Sequence, residues 1–284
     1  MRIAELLRLA REQGVARLDA QLLLAHRLQR PRVWLLAHDD EPVDAAAAAA
    51  FAQDLTQRAA GMPLAYLVGE REFHGLMLHV SPAVLVPRPE TELLVDWALA
   101  LLAGPLADIT RPTVIDLGTG SGAIALALKT ACQRIEMVAS DCSAQALAVA
   151  QINAQKHGLV VEFRLGDWWS AVGQDEMFDL VVSNPPYIAG QDAHLEALGH
   201  EPRLALTPEG DGLGALRSII AGAAPHLRPG GWLLLEHGYD QASAVQRLLT
   251  DQGLQSVSTR QDLAGKPRCT AGARLADALT PIAV

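Results

Sequence analysis

The first third of the chain carries apolar residues at helical spacing. Ile3, Leu6, Leu7 and Ala10 recur on one helical face, and Leu18, Leu22, Ala25 and Leu28 do so again beyond Gly14. A third helix is predicted over Val43 to Ala60, with Asp44 near its start, Gly61 just past its end and the alanine run Ala45 to Ala50 inside it. No strand periodicity precedes residue 70, so residues 1–69 read as a small helical bundle. The pattern then changes. Phe73, Leu76, Leu78, Val80 and Val84 to Val86, with Gly75 among them, predict a β-hairpin linker over residues 70–88. A helix is expected from Glu90 to Ala103. Past Pro112, strands are expected at 113–117, 136–140, 160–164, 178–183 and 231–236, with helices between them. Leu254 to Thr259 and Arg268 to Arg274 read as a closing hairpin. This alternation predicts an α/β fold, a doubly wound, mostly parallel seven-stranded sheet formed by residues 89–284.

Composition narrows the class. Hydrophobic residues make up 50% of the 284 and charged residues 19%, the balance of a folded chain that buries a sizeable core. A formal net charge of -9 argues against direct nucleic-acid binding, which takes clustered Lys and Arg to neutralise phosphates. Met1 to Arg8 alternates charge with apolar residues and lacks the core of a signal peptide. No apolar run approaches the ~20 residues of a membrane helix, so no membrane association is expected. Cys132, Cys142 and Cys269 are scattered without CxxC spacing, and the nine histidines show no metal-ligand spacing. Neither a metal nor a disulfide framework is expected, and a reducing cytoplasm is the default.

The most informative residues follow the apolar run Phe178 to Ser183. There Asn184-Pro185-Pro186-Tyr187 sits where a strand hands over to a loop, the usual place for ligand contacts in an open α/β sheet. Two prolines supply no N–H, so the loop displays carbonyls and one carboxamide, and Asn184 is held extended by the proline after it. A rigid row of acceptors beside an aromatic ring suits a flat NH2 group, an amide or an exocyclic amine. A Pro-rich turn without a ligand is the competing reading.

A second constellation closes strand 113–117, where Asp116-Leu117-Gly118-Thr119-Gly120-Ser121-Gly122-Ala123 leads into a helix. Glycines at such a turn let the backbone approach a ligand. Gly118, Gly120 and Ala123 also satisfy the dinucleotide pattern, and Asp141 ends the next strand where ribose hydroxyls would want an acid. A nicotinamide site, another adenosine site and a tight helix–sheet contact all fit the glycines alone. Two features tilt away from a nicotinamide cofactor. Asp116 precedes the glycines, where a carboxylate suits a cation such as a sulfonium or α-amino group, and the Asn184 loop answers a need of nitrogen methylation.

Together these residues resemble the class I S-adenosylmethionine-dependent amino-methyltransferases, with their Rossmann-like fold. Pro87-Arg88-Pro89-Glu90-Thr91-Glu92, Ser183 to Ile188 and Glu201-Pro202-Arg203-Leu204-Ala205-Leu206 are similar to the PrmC (HemK) family. Asp19 to Ala25 and Pro63 to Gly69 extend the likeness over almost the whole chain. That family methylates the glutamine side-chain amide (N5) in the Gly-Gly-Gln motif of class I peptide chain release factors. A sister family acting on a ribosomal-protein glutamine shares the Asn184 loop but lacks the Pro89-Glu90-Thr91 continuation. An adenine-N6 methyltransferase is the further alternative, a non-enzymatic cofactor-binding module a weaker one. The chain departs from the family at Ala264-Gly265-Lys266-Pro267-Arg268, where a more polar run is usual.

The resemblance implies S-adenosylmethionine as cofactor and S-adenosylhomocysteine as product, across Gly118, Thr119, Gly120, Ser121 and Gly122. Asp116 would face its cation and Asp141 its ribose, while Asp167 and Trp168 would lie near the adenine. It implies Asn184 and Pro185 as acceptors for the substrate amide, with Tyr187 stacked on it beside Pro186. Arg88, Glu90 and Thr91 would shape the entrance for the glutamine loop. The N-terminal bundle would recognise the substrate protein, and a monomer is expected. Trp169 is assigned to core packing.

Overall fold

The computed structural model describes residues 1–276. The chain divides into two compact units, the first Met1–Glu70 and the second from Arg71 onward. The first holds α1 (Ile3–Glu12), α2 (Arg17–Leu28), α3 (Arg32–Ala37), α4 (Ala45–Ala59) and α5 (Leu64–Val68). Ile3, Leu6, Leu23, Leu24, Phe51 and Leu55, all almost fully buried, form its core. The Asp44 carboxylate accepts from Ala47 N at 2.9 Å and so caps α4 where its sequence position predicts. Arg27 grips the buried Asp54 with two bonds of 2.6 Å, fastening α2 to α4. The sequence reading contains neither α3 nor α5. Both are short and start directly after Pro31 and Pro63, so neither is long enough to display a period.

The unit boundary falls at the start of a hairpin, β1 (Glu70–Phe73) and β2 (Leu76–His79), joined by His74 and Gly75 with φ of 47° and 80°. The hairpin is shorter than expected. Residues 80–88 form no strand, although Val84 and Val86 are buried. Pro89–Thr91 makes a single 3-10 turn, which delays α6 to Glu92–Ala103. Then follow β3 (Thr113–Leu117), α7 (Ala123–Ala131), β4 (Glu136–Asp141), α8 (Ala144–His157), β5 (Glu162–Leu165) and β6 (Phe178–Ser183). The chain continues through α9 (His194–Ala197), α10 (Arg203–Leu206), α11 (Gly214–His226), β7 (Leu227–Glu236), α12 (Ala242–Asp251), β8 (Gln255–Gln261) and β9 (Pro267–Ala273). Of the seven strands from β3 to β9, β3 and β6 keep their expected limits and the other five differ by one to four residues. β5 starts at Glu162, leaving Val160 82% exposed, and β7 begins upstream of residue 231 with a register shift against Phe178 and Leu180.

The described residues form a seven-stranded sheet of order β5-β4-β3-β6-β7-β9-β8, in which β9 alone runs against its neighbours. Successive residues of one strand enter opposite layers. Val114, Leu180 and Val182 pack with α6 and α7, whereas Ile115, Leu117 and Val181 pack with α11 and α12. The run Ala264 to Arg268 closes the β8–β9 turn, where Asp262 accepts from Ala264 N, Lys266 N and Arg268 Nε. Among the described residues, no helix is long and apolar enough to cross a membrane. Leu180 is fully buried at the centre of β6. Leu180→Ala is expected to lower unfolding free energy by about 3 kcal/mol through lost burial and a residual cavity, measured by urea denaturation.

Candidate active site

The chain winds outward through β3, β4 and β5 and then returns to place β6 on the other side of β3. At this switch point a ligand crevice is expected beyond the strand ends. A cavity of about 510 Å³ opens there, within the roughly 300–1,000 Å³ of small-molecule sites. Its wall takes Gly118, Thr119, Gly120 and Ser121 from the turn after β3, Asp141 from the end of β4, and Asp167 and Trp168 after β5. Asn184 and Pro186 come from the loop after β6, and Arg88 and Thr91 from the segment before α6.

The glycine turn is held as a backbone cradle. Gly118 N and Thr119 N both donate to Ser140 O at 2.9 Å. Gly118 has φ 76°, and a Cβ there would stand 3.1 Å from the Trp168 ring. Trp168 itself has φ 46°, the left-handed region that a bulky residue rarely enters. Asp141 accepts from Gly120 N and Ser143 N at 2.9 Å each, and burial pushes its pKa up. Gly122 does not line the cavity; a Cβ there would meet Ala150 and Leu126 at 3.2 Å, so it serves helix packing. Asn153 on α8 fixes the turn from outside. Its Nδ2 donates to Ser121 O and His79 O, and its Oδ1 accepts from His79 N.

Asp116 lies behind the wall rather than on it. It is fully buried, accepts from Thr119 Oγ1 at 2.6 Å, and leaves Oδ1 without a partner. Burial pushes its pKa up to about 7.

The loop after β6 is fastened at every step. Ser183 Oγ donates to Leu117 O at 2.6 Å, and Asn184 Nδ2 donates to Thr91 Oγ1 at 3.1 Å. Gln241 Nε2 donates to Tyr187 O at 2.9 Å, and Ile188 N donates to Leu206 O at 3.0 Å. Tyr187 departs from its expected place. Its ring packs against the core cluster of Ile115 and Leu235, and its hydroxyl donates to Glu236 Oε1 at 3.2 Å. It does not line the cavity, so it braces the loop instead of stacking on a ligand. Burial, with the adjacent Glu236 carboxylate, pushes its phenol pKa up. Pro185 is buried and off the cavity wall, and Glu90 is exposed away from it. Trp169 donates its Nε1 proton to Ile219 O and stacks on His226, a packing role.

Arg88 reaches the cavity as half of an ion pair with Glu201, whose Oε2 also accepts from Val86 N at 3.0 Å. Glu201 opens the run Glu201 to Leu206, in which the sequence gives it no separate role. Asn153 gave no signal, because one amide in a helix is indistinguishable from a surface residue. Among the described residues, no group of three or more His, Cys, Asp or Glu could hold a metal ion.

A glycine turn and an acceptor loop flanking the switch point of this sheet define a class I methyltransferase, and residues 92–238 match the Methyltransferase small domain. Residues 3–69 match the PrmC N-terminal domain. A release factor glutamine methyltransferase of Bordetella pertussis is 51% identical over 92% of this chain and 96% of its own length. That of Xylella fastidiosa is 51% identical over 93% and 95%. The chain belongs to the release factor glutamine methyltransferase family. In fold it resembles the hMettl16 catalytic domain in complex with an RNA hairpin (TM-score 0.58, 19% identity, 80% of this chain and 84% of that one). It also resembles the Thermus thermophilus 16S rRNA methyltransferase RsmC (TM-score 0.52, 21% identity, 72% and 49%). These two likenesses establish the fold alone.

Glu201 is buried and holds both the Val86 backbone and Arg88. Glu201→Ala is expected to destabilise the protein by about 2 kcal/mol, less than a fully buried pair because Arg88 stays half-exposed to water. Urea denaturation measures it.

Proposed function

We propose that the protein transfers a methyl group from S-adenosylmethionine to the side-chain amide nitrogen of the Gly-Gly-Gln glutamine in class I peptide chain release factors, leaving S-adenosylhomocysteine. The observation that carries this reading is Asn184: its NH2 is committed to Thr91, so its Oδ1 is free to face the cavity it lines. The name shared by relatives at about half identity supports the substrate.

The residues present fit the cofactor. A Cβ at Gly118 would crowd the Trp168 ring at 3.1 Å, so the turn stays bare backbone, and the buried Asp116 behind it keeps Oδ1 without a hydrogen-bond partner, a negative group that suits a cationic ligand. Gly118 to Ser121 would hold the amino-acid part, Asp141 the ribose hydroxyls, and Asp167 with Trp168 the adenine. When bound, S-adenosylmethionine supplies a methyl group activated by its sulfonium.

An amide nitrogen is a weak nucleophile because its lone pair is shared with the carbonyl. Asn184 Oδ1 would accept one N–H of the substrate amide, whereas Pro185, buried and off the cavity wall, is not placed to take the other. Electron density then rises on nitrogen, and the lone pair is held in one direction, so that positioning and electrostatics do the catalysis. Loss of a proton from the methylated nitrogen to water restores a neutral amide, and no base is needed.

Substrate recognition by the N-terminal unit belongs to the same proposal. Leu18 on α2 and Val33 and Leu36 on α3 are each more than half exposed, apolar area available to a protein partner. Changing all three to Ser is expected to raise KM for whole release factor severalfold while leaving turnover of a short Gly-Gly-Gln peptide unchanged. The principal test offers labelled S-adenosylmethionine with release factor or with DNA. Label in DNA alone would overturn the assignment. Asn184→Ala should lower kcat on release factor by at least about 100-fold while cofactor affinity, read by calorimetry, holds.

A further inference from the structure

The far end of the Asn184 loop hangs on one side chain outside the cavity. Gln241 Nε2 donates to Tyr187 O at 2.9 Å, and Gln241 Oε1 accepts from Gly238 N at 2.9 Å. This carboxamide cannot be turned over, because a carbonyl only accepts and a backbone N–H only donates. Two glycines make room for it. A Cβ on Gly212 would run into Tyr187 O and Gln241 Nε2, and one on Gly238 would stand 3.1 Å from Gln241 Oε1.

Gly238, two residues past β7, is gripped at both of its polar groups. Its N–H meets Gln241, and its carbonyl meets His237, a fully buried side chain. His237 Nδ1 lies 2.8 Å from Gly238 O, a pure acceptor, so Nδ1 carries the ring proton. Burial pushes the His237 pKa down, which keeps the ring neutral and leaves a lone pair on Nε2. Thr270 Oγ1, 2.7 Å away and also fully buried, therefore donates to Nε2. Having spent its proton, Thr270 accepts from Thr259 Oγ1 at 2.7 Å, and Thr259 accepts from Gln246 Nε2 at 2.8 Å. The protons run one way, from α12 through β8 and β9 to the turn after β7. None of these residues lines the cavity.

We propose that His237 and Gln241 are positioning residues for methyl transfer: His237, locked by Thr270 as its Nδ1-protonated form, fixes Gly238, and Gln241 carries that placement to Tyr187 O, so that Asn184 keeps its place at the cavity. The loop is then tethered at both ends, to β3 by Ser183 and to the turn after β7 by Gln241. The kinetic consequence rests on the glutamine-amide reading, whereas the tautomer and its dependence on Thr270 do not.

The test uses Gln241→Glu, Thr270→Val and Thr270→Ser in the full chain. Gln241→Glu removes the N–H that Tyr187 O accepts. The kcat on release factor is expected to fall about 10- to 100-fold in Gln241→Glu and about 3- to 10-fold in Thr270→Val, with Thr270→Ser restoring most of the second loss. Cofactor affinity, read by calorimetry, should hold in all three. Added to Asn184→Ala, Gln241→Glu should cost less than about twofold more, since the loop then has no acceptor to place; a merely structural loss would add in full. The substrate-free readout is nitrogen NMR of the histidine rings. His237 is expected to carry its proton on Nδ1 in the unmodified protein and in Thr270→Ser, and its Nε2 resonance to move in Thr270→Val. A proton on Nε2 alone in the unmodified protein, an unaltered kcat in Gln241→Glu, or full additivity with Asn184→Ala overturns the inference. Absence of transfer to release factor by the unmodified protein overturns the substrate assignment instead, and the ring signature still decides the hydrogen-bond order.

Discussion

The parallel pairing of β6 with β3 is the constraint on which the site depends. Asp116 lies opposite Val182 in that register, so Leu117 and Ser183 end their strands side by side, tied by the Ser183 hydroxyl to Leu117 O. The glycine turn and the Asn184 loop therefore leave the sheet at one level, a few residues apart in space and more than sixty apart in sequence. A shift of one residue would turn the inward Val181 and Val182 to the wrong layers and break both clusters. Burial of the two faces thus fixes the distance between the glycine turn and the Asn184 loop.

On that frame the loop after β6 is held rigid by its hydrogen bonds. Two prolines strip the loop of N–H donors, and three of its polar groups have a partner that decides their direction. Asn184 turns its donor to Thr91, Gln241 takes Tyr187 O, and Tyr187 turns its hydroxyl to Glu236. Reorganisation during a reaction is costly, and a loop already locked on its outer side has little left to reorganise. The cradle follows the same logic, with Asn153 and Ser140 holding the turn while its inner face stays bare backbone.

Periodicity and glycine placement in the chain carried the sheet, its five parallel strands and the two ligand turns, because burial on both faces makes those strands read as apolar runs. Short elements did not show. α3 and α5 are too brief for a period, and the 3-10 turn at Pro89–Thr91 looks like the start of α6 from composition alone. Motif residues split by a finer rule. Of those named for their backbone, Gly118 and Gly120 line the cavity while Gly122 and Pro185 do not, and Asp141, named for its strand-end position, lines it too. Tyr187, Pro185, Glu90 and Asp116 do not line it; the Tyr187 side chain turns to Glu236, forty-nine residues on, and that of Asp116 to Thr119 inside its own motif.

Two buried acids frame this arrangement. Asp116 on β3 and Glu236 on β7 flank β6 on either side, each keeps one oxygen without a partner, and burial pushes both pKa values up to about 7. A sequence selected for stability alone would place apolar side chains there, because an unsatisfied buried carboxylate costs more than its hydrogen bonds return. The tolerated cost sits at the strands next to the loop after β6. Asp116 borders the glycine turn and accepts from the Thr119 hydroxyl, whereas Glu236 accepts from the Tyr187 hydroxyl. Each buried acid thus fixes one side chain beside that loop, Thr119 on one side of β6 and Tyr187 on the other.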